Sequence, residues 1–418
     1  NRVNLVAKIK GSDSSRAGLV VHGHIDVVPA EAKDWSVDPF SGEIKDGFIW
    51  GRGAVDMKNV DAMILAIVRK WAREGYVPPR DIVLAFFADE EAGSEFGSRY
   101  MTANHPEVFA GCSEAVSEVG GFSIALKNGK RMYIIETAQK GIHWFKLTAK
   151  GTAGHGSMIN KDNALTALGE AVAKLGNHVW PQRYTATVKS LFAHVAKLTG
   201  NKYDEADFRP LLEEFGPAAK MFGATLQNTA NPTMLSSGYK ANVIPQTASA
   251  VVDGRFLPGY EDEFNQSIRE IVGPNIEIET LTHDISLEAD FSGDLVEAMV
   301  QALMAEDPDA IAVPYMMSGG TDNKALSELG IIGYGFGPLK LPPGLDFFSL
   351  FHGVDERVPI GATVPASLTM HATWETDAWP LLQASIDALR TREDARHRFA
   401  QLAQRVAAKA GFPDEAKL

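Results

Sequence analysis

A chain of 418 residues, 45% of them apolar, is long enough for two domains that each bury a core of their own. Its 53 acidic and 40 basic side chains give a formal net charge of -13 with no long single-sign run, which argues against the basic footprint of a nucleic-acid binder. No stretch reaches the roughly 18 to 20 uncharged apolar residues of a membrane span, and the single cysteine, Cys112, excludes an intrachain disulfide and fits a reducing, cytoplasmic compartment.

The chain begins at Asn1 without a methionine and enters a strand pattern almost at once, so we expect an upstream segment, in one form a cleaved leader. Residues 19–22 and 82–87 are short, nearly continuous apolar runs, as strands buried on both faces of a mostly parallel sheet require. Between them, Val60, Met63, Ile64, Ile67 and Trp71 mark one face of a helix that starts near Asn59 and stops at Gly75. Strand, helix, strand in that order predicts right-handed crossovers, with ligands beyond the carboxyl ends of the strands.

After about Ala138 the pattern changes. Residues 143–149 alternate like a strand, a glycine-rich turn follows, and Asp162 is the expected N-cap of a helix carrying Leu165, Leu168, Val172 and Leu175. A second strand pair, 234–238 and 247–256, is joined through Asn242-Val243-Ile244-Pro245. This α+β block ends near Pro258-Gly259, and from Ser292 helix and strand alternate again through Gly319-Gly320-Thr321-Asp322 to a loop bearing His352. Residues 377–411 read as one or two amphipathic helices with a solvated charged face. The expected organisation is α/β: a catalytic domain over 1–138 and 261–418, with an inserted α+β lid over 139–260.

Acids and histidines gather at the predicted strand ends: His24 and Asp26, Asp56, Glu90 and Glu91, Glu118, and His352. Singly, each has a plainer reading, as a structural histidine, a helix cap or an exposed acid. Jointly they supply two imidazoles and three carboxylates, with one more glutamate left as base. Zinc takes imidazole nitrogen and carboxylate oxygen at roughly 2.0 to 2.2 Å, and two ions roughly 3.5 to 4 Å apart need a carboxylate that can bridge them. Asp26, two residues after His24, is placed to accept the second ring N–H and fix the tautomer. Side chains of adjacent extended residues diverge, so one of Glu90 and Glu91 can bind metal while the other faces the open position. Glu90 is the expected general base.

These residues, in this order from about His22 to Glu356, resemble the aminoacylase, succinyl-diaminopimelate desuccinylase and glutamate carboxypeptidase superfamily of di-zinc hydrolases. The resemblance implies that His24, Asp56 and Glu118 hold one zinc and Asp56, Glu91 and His352 the other, with cobalt or manganese as alternatives. It implies a cis peptide after Asp56 and a lid that forms a homodimer. In the lid, Gly151-Thr152-Ala153-Gly154-His155-Gly156-Ser157 is similar to the segment whose histidine polarises the scissile carbonyl, often across the dimer. Asn242 and Arg255 match substrate-binding positions, Arg255 for an α-carboxylate, and Gly320 a backbone contact in the glycine-rich loop. Family members usually carry a helix and strands before the first metal histidine, yet only 23 residues precede His24.

The expected activity is zinc-dependent hydrolysis of an amide next to a free α-carboxylate, in an N-acyl amino acid or dipeptide. A biosynthetic desuccinylase or deacetylase with the same metal site is the second enzymatic reading, and a non-catalytic metal-binding scaffold the third. His22, His105, His143 and His371 are assigned to structure, and Cys112 to buried packing.

Overall fold

The computed structural model describes residues 2–362, so the expected helices over 377–411 and His371 lie outside the described residues. Strand Ile82–Phe87 is buried along its whole length and runs parallel to Gly18–His24, which in turn runs parallel to Cys112–Ser117. Ile332–Gly335 adds a fourth parallel strand beside Cys112–Ser117. Around this parallel centre a nine-stranded sheet is completed by Leu5–Ile9 on one edge and by Arg131–Gln139 with its partners on the other.

Alternation along the central strand explains its unbroken apolar run. Ile82, Leu84 and Phe86 face the core formed with helix Lys58–Glu74, whereas Val83, Ala85 and Phe87 face the opposite layer with Met101, Phe109 and Leu326. Burying each phenylalanine contributes about 1.5–3 kcal/mol. Gly75, at φ 64°, ends the helix as expected.

The smaller domain is a four-stranded antiparallel sheet in the order Thr229–Ser237, Thr247–Phe256, Gly141–Lys150, Ile276–Asp284. Helices Ala164–Gly176 and Glu261–Val272 cover it through Leu168, Leu175, Phe264 and Ile268. Four details differ from the sequence reading. The small sheet extends to Asp284, because strand Ile276–Asp284 pairs with Gly141–Lys150, so the chain returns to the large sheet later than residue 260. Helix Ala186–Thr199 lies inside the expected lid span but buries Leu191, Phe192 and Val195 in the core of the large domain, together with Phe208, Phe215 and Phe222. Asn163, not Asp162, caps the helix Ala164–Gly176, accepting from the N–H groups of Leu165 and Thr166, while Asp162 accepts from the N–H and hydroxyl of Thr152. Cys112 is half-buried rather than fully buried. Among the described residues no helix is long and apolar enough to cross a membrane.

Candidate metal centre

Three neighbouring parallel strands release their chains at one end of the large sheet. His24 is the last residue of Gly18–His24, Glu90 and Glu91 follow Ile82–Phe87, and Glu118 follows Cys112–Ser117. Asp56 arrives just before helix Lys58–Glu74, and His352 from the loop after the short turn Phe348–Leu350. His24 Nε2 lies 2.9 Å from Asp56 Oδ1 and 3.6 Å from Glu118 Oε2. His352 Nε2 lies 3.1 Å from Asp56 Oδ2 and 3.0 Å from Glu91 Oε2. The ligand atoms of His24, Asp56 and Glu118 fall within 4.8 Å of one another, as do those of Asp56, Glu91 and His352. Asp56 therefore offers one oxygen to each group.

The loop that presents Asp56 is fixed by a residue the motif reading did not single out. Glu356 is fully buried; its Oε1 accepts from the N–H groups of Val55 and Asp56, and its Oε2 from the N–H of Gly53 and the guanidinium of Arg52. The Asp56-Met57 bond is cis, as expected. Asp26 works differently from expectation. Its carbonyl oxygen lies 3.1 Å from His24 Nδ1 and orients the ring, while the carboxylate, 3.6 Å from that nitrogen, accepts from the N–H groups of Glu90 and Glu91. Engaged at the start of the Glu90–Ala92 turn, the carboxylate stays near enough to the imidazole to support its charge but leaves the shorter contact to the carbonyl. Asp89, Val119 and His352 all have positive φ, at 73°, 57° and 58°. Such backbone costs about 1–3 kcal/mol each and persists where the surroundings impose it, here beside the ligands.

Charge is crowded in this centre. Burial, then the carboxylates of Glu118, Asp322 and Asp56, outweigh the His24 ring and push Glu90 well above the usual carboxylate range. Burial likewise raises Glu118 to about 8. Hydrogen bonds to Asp56 and Glu91 lift His352 to about 10. Burial opposes a proton on His24, but Glu118, Asp26 and Asp56 hold that ring well above its ordinary value. Asp56 is buried too, yet His24 and His352 keep it well below the normal range. Protons thus compensate the carboxylates where cations would otherwise do so. Glu91 Oε1 is buried with no hydrogen-bond partner among the described residues. An imidazole-and-carboxylate donor set with a shared aspartate and an orphaned ligand oxygen fits a pair of divalent ions such as zinc, cobalt or manganese.

A cavity of about 730 Å³ opens over the centre, with Glu90, Glu118 and His352 in its wall, and Trp144, Arg255 and Lys324 also lining it. Gly320 lines it, as expected. Arg255 reaches it with Nε and Nη2 engaged by the Asp253 carboxylate. His155 and Asn242 are not part of its wall. Both are exposed at the tip of the small domain, where Gly154–His155 pairs with Val243–Ile244 and the Gly156 N–H donates to the Asn242 carbonyl. Two groups near the cavity escaped the sequence reading of roles: Asp322, which accepts from the hydroxyls of Ser94 and Ser98, and Lys324. Their signal was position, just after the glycine-rich pair. Of the histidines assigned to structure, His22 is fully buried beside Asn323, and burial lowers it to about 4.

The chain matches the model of peptidase family M20/M25/M40 over residues 20–376. It is 30% identical over 392 residues to a probable carboxypeptidase S-like protein of Dictyostelium discoideum, covering 85% of this chain and 71% of that one. It is 27% identical to human aminoacylase-1, covering 83% and 77%. Its fold is similar to an M20 family metallo-carboxypeptidase from Sulfolobus solfataricus, with a TM-score of 0.65 at 18% identity over 91% of this chain and 87% of that one. The di-peptidase Dug1p from Saccharomyces cerevisiae is similar in fold too, with a TM-score of 0.63 at 16% identity, covering 91% and 82%.

Two outcomes follow from this arrangement. Because His24 and His352 carry protons at pH 7 in the metal-free centre, titration with zinc at that pH should release protons, seen as a buffer-dependent heat in calorimetry. The sign is set by the raised value: the contribution of His352 to metal-free stability is complete below its ordinary pKa and is lost as pH rises through about 10, so zinc affinity should climb across the same window. Heats that are identical in buffers of different ionisation enthalpy would contradict the protonated centre. Separately, Glu356→Ala strands Arg52 and three backbone N–H groups in the interior and should destabilise the fold by about 3–5 kcal/mol in a denaturant titration. A change below about 1 kcal/mol would show that the loop does not depend on it.

Proposed function

The chain belongs to peptidase family M20/M25/M40 and is an amidohydrolase, and within that class we propose that it cleaves the amide next to a free α-carboxylate in an N-acyl amino acid or a dipeptide, using two zinc ions. The observation that carries this reading is the sharing of Asp56 between two ligand groups beneath a cavity that Glu90 also faces. His24, Asp56 and Glu118 would hold one ion, and Asp56, Glu91 and His352 the other. Bound there, divalent ions polarise a carbonyl and lower the pKa of water toward about 7.

In this proposal the protein's own groups divide the remaining work. Asp26 holds the Glu90–Ala92 turn, so that Glu91 points to His352 while Glu90 stays toward the cavity. Glu90 takes the proton of the attacking water and returns it to the leaving amine, a role suited to a carboxyl whose surroundings favour keeping a proton. Relatives named carboxypeptidase, aminoacylase and N-fatty-acyl-amino acid synthase/hydrolase support a substrate of the acyl amino acid or peptide class.

We further propose a homodimer through the small domain. Edge strand Thr229–Ser237 leaves Met234 66% and Leu235 61% exposed, and an unpaired apolar edge favours a partner. His155 and Asn242 lie outside the cavity of their own protomer, and in the dimer they serve the neighbouring one, His155 as oxyanion stabiliser.

Glu90→Gln should retain zinc by metal analysis and lower kcat by at least about 10² to 10⁴; near-wild-type turnover would remove Glu90 from the reaction. His155→Ala should also be impaired with full metal content. Mixing and reassociating the two variants should produce more activity than either alone, because one site in each mixed dimer is intact. No recovery from verified mixed dimers would place His155 with its own protomer.

A further inference from the structure

We infer that the carboxylate end of the substrate is held by the ammonium group of Lys324, and not by the guanidinium of Arg255. The inference rests on the proposed reading of an amide next to a free carboxylate, and it names the residue that recognises that carboxylate.

Arg255 is the more obvious candidate, but its charge is already paired. Nε and Nη2 bond the two oxygens of Asp253 at 2.7 and 3.2 Å, which leaves a substrate only the Nη1 side of a guanidinium that already has a bidentate carboxylate partner. Lys324 is in the opposite condition. It lines the cavity, only 2% exposed, and its Nζ donates to the carbonyl of Lys140 at 2.8 Å, a neutral acceptor.

Two carboxylates stand near it and neither is committed to it. Asp284 is 3.7 Å from Nζ and closer to Arg99, at 2.8 Å. Glu136 is buried, and that burial holds its carboxyl well above the usual carboxylate range, against the opposing pull of Lys324. Burial lowers Lys324 to about 8: Asp284 pulls the other way, but Arg255 and Arg99 add repulsion, so the carboxylate it shares with Arg99 compensates it only in part. A buried ammonium in that state gains from an incoming anion what an exposed one does not.

The glycine-rich loop runs directly beside the ammonium. A Cβ placed at Gly320 would meet Cε and Nζ of Lys324 at 2.9 Å and push the amine aside, and Gly320 itself lines the cavity. Asp56, Glu91, Glu118, His352 and Glu90 line the same cavity, which lets one small molecule span both groups.

The test uses zinc-loaded full-length protein in a Glu90→Gln background, so that ligands are not turned over, with N-acetyl-L-leucine and N-acetyl-L-leucinamide as probes in titration calorimetry. The parent should bind the acid more tightly than the amide. Lys324→Met should lower acid affinity by about 10- to 100-fold, the worth of a charge-assisted bond, and leave the amide unchanged. Arg255→Met should leave most of the acid preference. Gly320→Ala, which keeps the lysine but pushes its amine aside, should weaken the acid selectively and guards against misfolding of the lysine variant. Equal losses for acid and amide, an acid preference retained in Lys324→Met or erased by Arg255→Met, or a parent with no acid preference, would each overturn the assignment. Hydrolysis of an acyl amino acid and dipeptide panel by the unsubstituted enzyme reports on the proposed reaction separately. A failure there beside an intact Lys324 effect strikes the reaction alone, and the reverse strikes this site alone.

Discussion

One buried carboxylate has to serve two sides of a site at once. Asp56 Oδ1 faces His24 and Oδ2 faces His352, and both contacts depend on the carboxylate plane staying where the preceding loop puts it. A rotation of the side chain that improves one side spoils the other. Glu356 supplies the fixation, accepting from the N–H groups of Gly53, Val55 and Asp56 and from Arg52, so the shared aspartate is set by backbone rather than by its own side-chain freedom. The sheet then has to bring His24, Glu91 and Glu118 to that fixed point, and parallel strands ending on one edge do so because their carboxyl ends lie side by side.

The same constraint explains the electrostatics. Asp56, Glu90, Glu91, Glu118 and Asp322 crowd one space; burial first, and then neighbouring carboxylates, raise the proton affinity of Glu90, Glu118 and Asp322, whereas His24 and His352 hold Asp56 low. A packed core offers no reason to collect acids in this way; apolar residues would cost less. The crowding makes sense as a site whose full complement includes positive charge, and the left-handed backbone at Asp89, Val119 and His352 is the conformational counterpart of that cost.

What could be read from the sequence is what repeats locally or recurs as a motif. The run 82–87 declared a strand covered on both faces, the spacing of Val60, Met63 and Ile64 declared a helix face, and the acids and histidines at strand ends pointed to the two clusters that could hold metal. Residues whose work is done on distant backbone were not legible. Glu356 has no pattern of its own, because its partners are N–H groups about 300 residues earlier. Asp26 was rightly placed beside His24 but acts on the ring through its carbonyl and on Glu90 and Glu91 through its carboxylate, a division that residue identity cannot specify. Helix Ala186–Thr199 was not singled out at all, and its periodicity would have said only that a face is buried and not which core receives it. Asp162 and Asn163 are both competent caps, and the choice between them was made by Thr152, which occupies the aspartate.

Between the two domains, one lysine ties together the segments that carry the chain across. Lys140 sits between strand Arg131–Gln139 of the large sheet and strand Gly141–Lys150 of the small one, and its amine donates to the carbonyls of Ala224 and Gln227 and to the Thr229 hydroxyl, where the chain crosses again. Burial lowers this ammonium to about 7, so the bonds it makes with neutral acceptors are held at a cost that only a well-defined geometry repays. The carbonyl of Lys140 in turn receives Lys324, and Asp284 at the end of the small sheet is shared by Lys324 and Arg99 of the large domain. The position of the small domain and the position of the cavity's buried cation are therefore set by one continuous set of contacts. A shift of the small domain that broke the Asp284 contacts would also move the buried ammonium in the cavity wall, which couples domain geometry to the charge of the cavity.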